Sequence, residues 1–218
     1  MKSFGKILID ERVVLPEVVR GKVINDAKIF AEKSYALDQG KYLVENRSAR
    51  KERIVSNNRT GKIAEFLAAV FLNHKYGFPE IIPDLEIRVG KEKGWQEDLP
   101  YHKRNQNFPS VHVKSCDRMS EEYVGDISYT FQYSNSDGQY GKDKLFWLPE
   151  DTNDMIIMMF VEDDQSYEGI VKSFLPWRIV KNYLSDPKSE KFKGIKKCLY
   201  VRDLISNRKE IEKLLLAA

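Results

Sequence analysis

Histidine and lysine alternate with valine in residues 111–118, which read VHVKSCDR. Successive side chains of an extended strand point to opposite faces. We therefore predict a strand in which Val111 and Val113 share one face, while His112 and Lys114 share the other. The valine face is suited to packing against a core. The opposite face then carries an imidazole and an ammonium side by side, two groups that can move protons or offset negative charge.

Two carboxylates precede this strand in the chain. Asp98 lies in GWQEDLPY. Glu65 lies in a predicted helix in which all the remaining residues from Ile63 to Leu72 are apolar. A helix that is apolar on all sides is typical of a buried helix, so we expect Glu65 to be inside. A buried carboxylate requires a cation, a donor or a proton. The alternatives are that the first helical turn is exposed, or that Glu65 caps a neighbouring amide.

The order of these features resembles the PD-(D/E)xK nuclease superfamily, whose members share the restriction-endonuclease-like fold. A helix with a glutamate, an aspartate, a strand that carries x-x-Lys and a further strand follow one another over residues 55–175. The resemblance implies a divalent-metal-dependent endonuclease that hydrolyses double-stranded DNA, either a type II restriction-like enzyme or a homing or phage endonuclease. It implies Mg²⁺, or Mn²⁺ as a substitute, and a catalytic set that is Glu65, Asp98, His112 and Lys114, with Asp98 and His112 as metal ligands.

Phosphodiester hydrolysis explains these residue types. A metal ion supplies hydroxide near neutral pH, and hard Mg²⁺ prefers oxygen ligands such as the Asp98 carboxylate. Lys114 can orient or deprotonate the attacking water, or offset negative charge in the transition state. Asp84 and Glu97 are rivals for the acidic position.

His112 departs from the family, which usually has an acid there. An imidazole nitrogen suits softer metals better than Mg²⁺. His112 is therefore a metal ligand, a holder of metal-bound water, the mark of a degenerate site, or a plain surface imidazole. The alternative function is accordingly a catalytically degenerate protein of the nuclease fold, which binds nucleic acid or a protein partner without cleaving.

The sequence predicts one α/β domain over residues 1–218, with helices flanking a mixed central sheet of about five strands in an α/β/α arrangement. Its parts are a helical N-terminal segment (1–56), a catalytic core (57–175) and a C-terminal helical part (176–218). The helix with Glu65 is expected to begin at Asn58 or Thr60 and to stop at Gly77. Strands are predicted at 81–90, 111–115, 123–134, 155–161 and 166–174. A short helix with Pro176 in its first turn is expected at 175–184, and an amphipathic helix at 203–218 should bury Ile211, Leu214 and Leu215.

Charge is nearly balanced over the 218 residues, with 36 Lys and Arg against 33 Asp and Glu. Seven basic residues and two acids lie between Lys41 and Lys62. This run is either a solvated helix face or a surface that contacts phosphates. In the second case the DNA-binding residues are Arg47, Arg50, Lys51, Arg53 and Arg59, and the loop at 134–144 adds further contacts.

Other classes of protein are disfavoured by the sequence. It has no GxxxxGK[ST] or GxGxxG, its three histidines are widely spaced, and its two cysteines form no CxxC pair. The longest apolar run, at 155–161, is too short to cross a bilayer, and charge interrupts the N-terminus before a signal-length apolar run forms. We expect a cytoplasmic protein without a membrane partner, with a homodimer as one arrangement open to it.

Overall fold

The fold is a mixed α/β arrangement. It is given by a computed structural model that describes residues 10–37, 51–86, 98–133 and 144–216. The strands are β1 (Glu11–Val14), β2 (Val111–Asp117), β3 (Ser128–Gln132), β4 (Met155–Val161), β5 (Glu168–Pro176) and β6 (Lys196–Tyr200). The helices are α1 (Glu17–Leu37), α2 (Lys51–Tyr76), α3 (Tyr101–Arg104), α4 (Arg118–Val124), α5 (Trp177–Val180), α6 (Val201–Ser206) and α7 (Arg208–Leu216).

Strand β4 is central in a four-stranded sheet of order β1-β5-β4-β2. It is antiparallel to β5 and parallel to β2, and β5 in turn pairs with β1 in antiparallel fashion. All seven residues of β4 are buried, which confirms the prediction that this apolar run is a strand covered on both faces. The prediction of a strand at 111–115 is confirmed as well, since β2 spans Val111–Asp117.

Two hydrophobic cores cover the two faces of this sheet. Helices α1 and α2 pack over the face that carries Val111 and Ile157. A second sheet, formed by β3 and β6, packs with α5, α6 and α7 over the face that carries Ile156 and Leu175. The predicted α/β class is confirmed, and the described residues hold six strands in two sheets where about five in one sheet were expected.

A close approach between α2 and β5 depends on Gly169. A Cβ atom on this residue would lie 2.9 Å from the carbonyl oxygen of Phe160 and 3.0 Å from Cδ1 of Leu67. Those distances are shorter than van der Waals contact, so only glycine allows the helix to pack at this depth.

Helix α2 is longer than the sequence predicted. It is already helical at Lys51, and Asn58 and Thr60 are interior residues, so the prediction that one of them caps the helix was wrong. Polar residues that are good caps are tolerated inside a helix when strong helix formers continue on both sides. The predicted stop is confirmed, because the helix ends at Tyr76 and Gly77 adopts a φ of 68°.

Two strand predictions were wrong in part. Residues 81–86 form no strand, which is explained by Pro83, whose nitrogen cannot donate to a ladder. Residues 87–90 lie outside the described part of the chain. The segment predicted as one strand from 123 begins instead with the end of α4, and Gly125 (φ 70°) turns the chain into β3. The strand at 155–161 matches the prediction, and the strand predicted at 166–174 is present two residues later, at Glu168–Pro176. The short helix predicted at 175–184 begins at Trp177, so Pro176 ends the strand and precedes the helix instead of lying in its first turn.

The terminal segments are not helical throughout. The N-terminal segment contains β1 besides α1, and the C-terminal part contains β6, which pairs with β3. The last predicted helix is divided into α6 and α7, and in α7 Ile211 and Leu215 are buried while Leu214 is 40% exposed. The prediction for Leu214 was wrong: the buried stripe of α7 follows the i, i+4 pair Ile211 and Leu215, and Leu214 lies beside it towards solvent.

No helix in the described segments combines the length and apolarity needed to cross a membrane.

Candidate hydrolytic site at the edge of the sheet

Asp98 lies against strand β2 at the outer edge of the four-stranded sheet. Its Oδ2 accepts a hydrogen bond of 2.6 Å from the backbone N–H of Val113. The following residue, Leu99, pairs with Val111 through an isolated antiparallel bridge, which brings the chain alongside β2. Since Val113 separates His112 from Lys114, the carboxylate of Asp98 is held beside the segment that the sequence singled out.

Glu65 is buried, as predicted, with 8% of its surface exposed. Lys62 Nζ lies 2.7 Å from Glu65 Oε2 and donates a second hydrogen bond of 2.7 Å to the carbonyl oxygen of Asp84. Burial raises the pKa of Glu65 to about 8; the ammonium of Lys62 opposes this, and the negative charges of Asp98 and Asp84 add to it. At neutral pH Glu65 therefore keeps a proton, although a cation lies next to it.

The two rival aspartates have different surroundings. The carboxylate of Asp84 accepts a hydrogen bond of 2.8 Å from the N–H of Glu86, two residues further along the chain, so this interaction is local. Asp98 instead reaches the strand that carries Lys114. Both act electrostatically on Glu65. The third rival, Glu97, lies outside the described residues.

His112 is buried and is paired with a residue that the sequence did not suggest. Its Nε2 lies 3.0 Å from Oδ2 of Asp154. The other carboxylate oxygen of Asp154, Oδ1, accepts a hydrogen bond of 2.9 Å from the hydroxyl of Thr152. Burial raises the pKa of Asp154, but the hydrogen bonds from His112 and Thr152 outweigh it, so the net pKa is lowered.

The sequence carried only a weak signal for Asp154. It stands directly before the apolar run of β4 and 42 positions after His112. Parallel pairing places Val111 opposite Met155, so the residue before Met155 falls beside the start of β2. That register cannot be read from either segment alone.

Lys114 lies on the same face of β2 as His112. It is opposite Met158 in β4, and its Nζ is 5.0 Å from the ring centroid of Phe131 in β3. Glu65 belongs to α2, which covers the other face of the sheet. The predicted site residues thus lie in three places: His112 and Lys114 on one face, Glu65 on the other, and Asp98 at the edge between them.

Two carboxylates, Asp98 at the edge and Glu65 on the face covered by α2, influence each other electrostatically and are candidates to hold a hard metal ion. Mg²⁺ is commonly held by one or two carboxylates, with waters and substrate phosphate oxygens completing the octahedron. Glu65 and Asp98 supply two carboxylates, and the mutual repulsion that helps to raise the Glu65 pKa is what a cation would relieve. Within the described segments no three His, Cys, Asp or Glu side chains converge as metal ligands. With two carboxylates, these residues would hold a Mg²⁺ ion only together with waters and phosphate oxygens.

The predicted phosphate-contacting residues differ in their surroundings. Lys51 is exposed, and its Nζ lies 5.6 Å from the ring centroid of Tyr35. Arg53 donates a hydrogen bond of 2.9 Å to the hydroxyl of Ser120, and Arg59, 9% exposed, contacts residues of the β4–β5 turn. A phosphate would have to displace protein partners at Arg53 and Arg59. Outside the described residues lie Arg47, Arg50 and the loop at 134–143.

Comparison of the chain with models of protein families, with curated proteins and with solved structures finds no match.

Proposed function

We propose that this chain is a divalent-metal-dependent endonuclease that hydrolyses DNA phosphodiester bonds, on a layered core of the restriction-endonuclease type. The observation that carries the proposal is the hydrogen bond from the Val113 N–H to Asp98, which holds a carboxylate between His112 and Lys114 and within electrostatic reach of buried Glu65. The order of helix, aspartate, lysine-bearing strand and following strand supports the same assignment.

Hydrolysis of a phosphodiester joins a water oxygen to phosphorus, breaks one P–O ester bond and leaves a proton on the departing alcohol. Negative charge grows on the phosphate oxygens during this exchange. A bound Mg²⁺ or Mn²⁺ would acidify a water and neutralise phosphate charge. Asp98, at the edge of the sheet, would hold the ion together with Glu65 from one face, and Lys114 would offset the developing charge from the other face. Asp154 fixes the orientation of the His112 ring through Nε2.

Glu65 couples this chemistry to pH. Its pKa of about 8 means that the carboxyl is protonated near neutrality, so holding a cation there requires release of that proton. Cleavage at a fixed, subsaturating Mg²⁺ concentration should therefore increase as the pH rises towards 8.

The deciding experiment is cleavage of supercoiled plasmid in Mg²⁺ and in Mn²⁺ by the parent protein and by Lys114→Ala. We expect the variant to fold, to bind DNA and to cut at least about 100-fold more slowly, because several kcal/mol of transition-state stabilisation are lost. Lys181→Ala is the matched control, since Lys181 is a surface lysine that pairs with Glu150 on another part of the chain. Equal rates for the parent protein and Lys114→Ala would overturn the proposed role.

His112 gives a second comparison. If the imidazole contributes to the site, His112→Ala should lose cleavage, whereas His112→Asp, which restores the acid usual in the family, should keep Mg²⁺-dependent cleavage. A rate for His112→Ala equal to that of the parent protein would place His112 outside the reaction.

A second function is favoured by one observation. The imidazole of His112, which stands where the family usually has an acid, is buried and paired with Asp154. This is expected of a site that has lost catalysis and still binds nucleic acid. This reading predicts salt-sensitive DNA binding without nicking in either metal. Reversing the charge of Arg50 and Lys51 together should then weaken binding to all sequences about equally, while Arg53 is left in place because it supports the start of α4.

A further inference from the structure

A cavity of about 560 Å³ lies apart from the four predicted catalytic residues, although Arg53, one of the predicted phosphate-contacting residues, forms part of its wall. It is bounded by the first half of α2, the end of β2, helix α4 and the β3–β6 sheet with the segment that leads into it. Glu65, Asp98, His112 and Lys114 are not among its lining residues. The volume is within the range of about 300–1,000 Å³ that is usual for small-molecule sites.

Thr60 lies in the wall of this cavity and carries a hydroxyl without a hydrogen-bond partner within the described part of the chain. The residue is 3% exposed. A buried hydroxyl in a folded protein is nearly always hydrogen-bonded, because leaving it unpaired forfeits its bonds to water. The hydroxyl oxygen itself has almost no accessible surface, so it lies just behind the wall, and a polar ligand in the cavity would pair with it after a small shift of that wall.

The charges that line the cavity indicate an anion. Arg53, Lys188 and Lys196 are cationic and Asp117 is the one acid, so the lining carries three positive charges against one negative charge. The carboxylate of Asp117 accepts a hydrogen bond of 2.7 Å from the N–H of Ser120 at the start of α4 and lies 3.3 Å from Nη2 of Arg53, so an anion would use Arg53 by displacing that ion pair. The cations come from opposite walls, Arg53 from α2 and the two lysines from the segment around β6.

We infer that this cavity binds a phosphorylated organic anion of nucleotide size. A phosphate suits a lining with net positive charge, because lysine and arginine make charge-assisted hydrogen bonds to its oxygens. The volume exceeds what inorganic phosphate alone would fill, and the hydroxyls of Ser115 and Thr130 add polar contacts for the remainder of the ligand. The inference rests on the cavity and holds whether or not the chain cleaves DNA.

The first test uses 2′-deoxyadenosine 5′-monophosphate as the probe, titrated into the whole chain by calorimetry without divalent metal. We expect saturable binding with one site per chain, and at least about tenfold weaker binding of deoxyadenosine, which lacks the phosphate. Inorganic phosphate should bind more weakly than the nucleotide as well. If the nucleotide shows no saturable binding, or binds no better than deoxyadenosine, the inference is overturned.

Variants locate the binding. Thr60→Val keeps the shape of the side chain and removes the orphan hydroxyl, so it should leave the Tm of the unliganded protein unchanged or higher and weaken the nucleotide about fivefold or more. Lys188→Met should weaken it about tenfold, while Lys193→Met, a change at an exposed lysine outside the cavity, should leave it unchanged. If Thr60→Val does not fold, the nucleotide affinity of Lys188→Met alone tests the inference. Parental affinity in the folded variants would overturn the inference.

A competition experiment identifies the source of the ligand. A 5′-phosphorylated oligodeoxyadenylate that displaces the mononucleotide at lower concentration than the mononucleotide itself would show that the cavity receives part of a DNA strand. Weaker displacement would show that it receives a free nucleotide. Either result supports the inference. Plasmid cleavage by Thr60→Val, measured separately, distinguishes this cavity from the proposed hydrolytic site, since we expect that rate to stay within about threefold of the parental rate for a site that uses other residues.

Discussion

Replacing Glu65 with Gln removes one ionisable group from the interior while it preserves shape and an oxygen that can accept from Lys62. In the folded protein the pKa of Glu65 is about 8, above its ordinary value of 4.5. The folded state therefore binds a proton that the unfolded state has released between pH 4.5 and 8. Stability must fall as the pH rises through that window and level off above it.

The size of the effect follows from the two pKa values. They differ by about 3.5 pH units, and each unit corresponds to about 1.4 kcal/mol, so the free energy of unfolding should fall by up to about 5 kcal/mol between pH 4.5 and pH 9. Glu65→Gln has no proton to lose and should escape this decline. Relative to the parent protein, the variant should gain nothing below pH 4.5 and about 3 kcal/mol at pH 7.

Urea denaturation at a series of pH values from 5 to 9 measures this difference. Glu162→Gln is the control, because it removes the charge of a glutamate whose side chain is 54% exposed. Parallel stability profiles for the parent protein and Glu65→Gln would refute the reasoning about burial. Repeating the series with Mg²⁺ tests the metal site without an activity assay: above pH 8 the ion should stabilise the parent protein and leave Glu65→Gln unchanged.

Two further predictions concern packing and acid stability. Gly169→Ala should destabilise the protein by about 1–3 kcal/mol in urea denaturation, because its methyl group would press against Leu67, whereas Gly61→Ala, in an open position of α2, should stabilise it by about 0.5–1 kcal/mol. Equal effects of the two changes would contradict the close approach of helix and sheet. Asp154→Asn should cost about 1–3 kcal/mol at pH 7, since it weakens the bond to His112, and this cost should begin to shrink as the pH falls below 3.8 and be lost as the pH falls through the lowered pKa of folded Asp154. A cost that shows no decline at any pH below 3.8 in the same denaturation assay would contradict it.

Local pattern was sufficient where burial alone decides the structure. The seven apolar residues of β4 and the valine alternation of β2 predict both strands, and the unbroken apolar face around Glu65 predicts its burial. These signals are strong because one face of each element must leave water.

The pairing of strands that are distant in the sequence could not be predicted from local pattern. Strand β6 reads KKCLY, with two lysines in five residues, and becomes a strand because β3 lies ready to pair with it. The contact of His112 with Asp154 depends on the parallel register of β2 and β4. Glu65 lies on one face of the sheet while His112 and Lys114 lie on the other, and this separation likewise depends on which face α2 covers.

The pairing of β1 with β5 also has a consequence for biosynthesis. The side chains of Arg12 and Glu168, which meet across these strands, are 156 positions apart. At about 5–20 residues per second a ribosome needs roughly 8–30 s to make the intervening chain. Among the described strands, β1 is therefore synthesised well before its partner β5, and until β5 is made the hydrogen-bonding groups of β1 are open to other partners. Slowed translation should lengthen the period in which the nascent chain needs a chaperone.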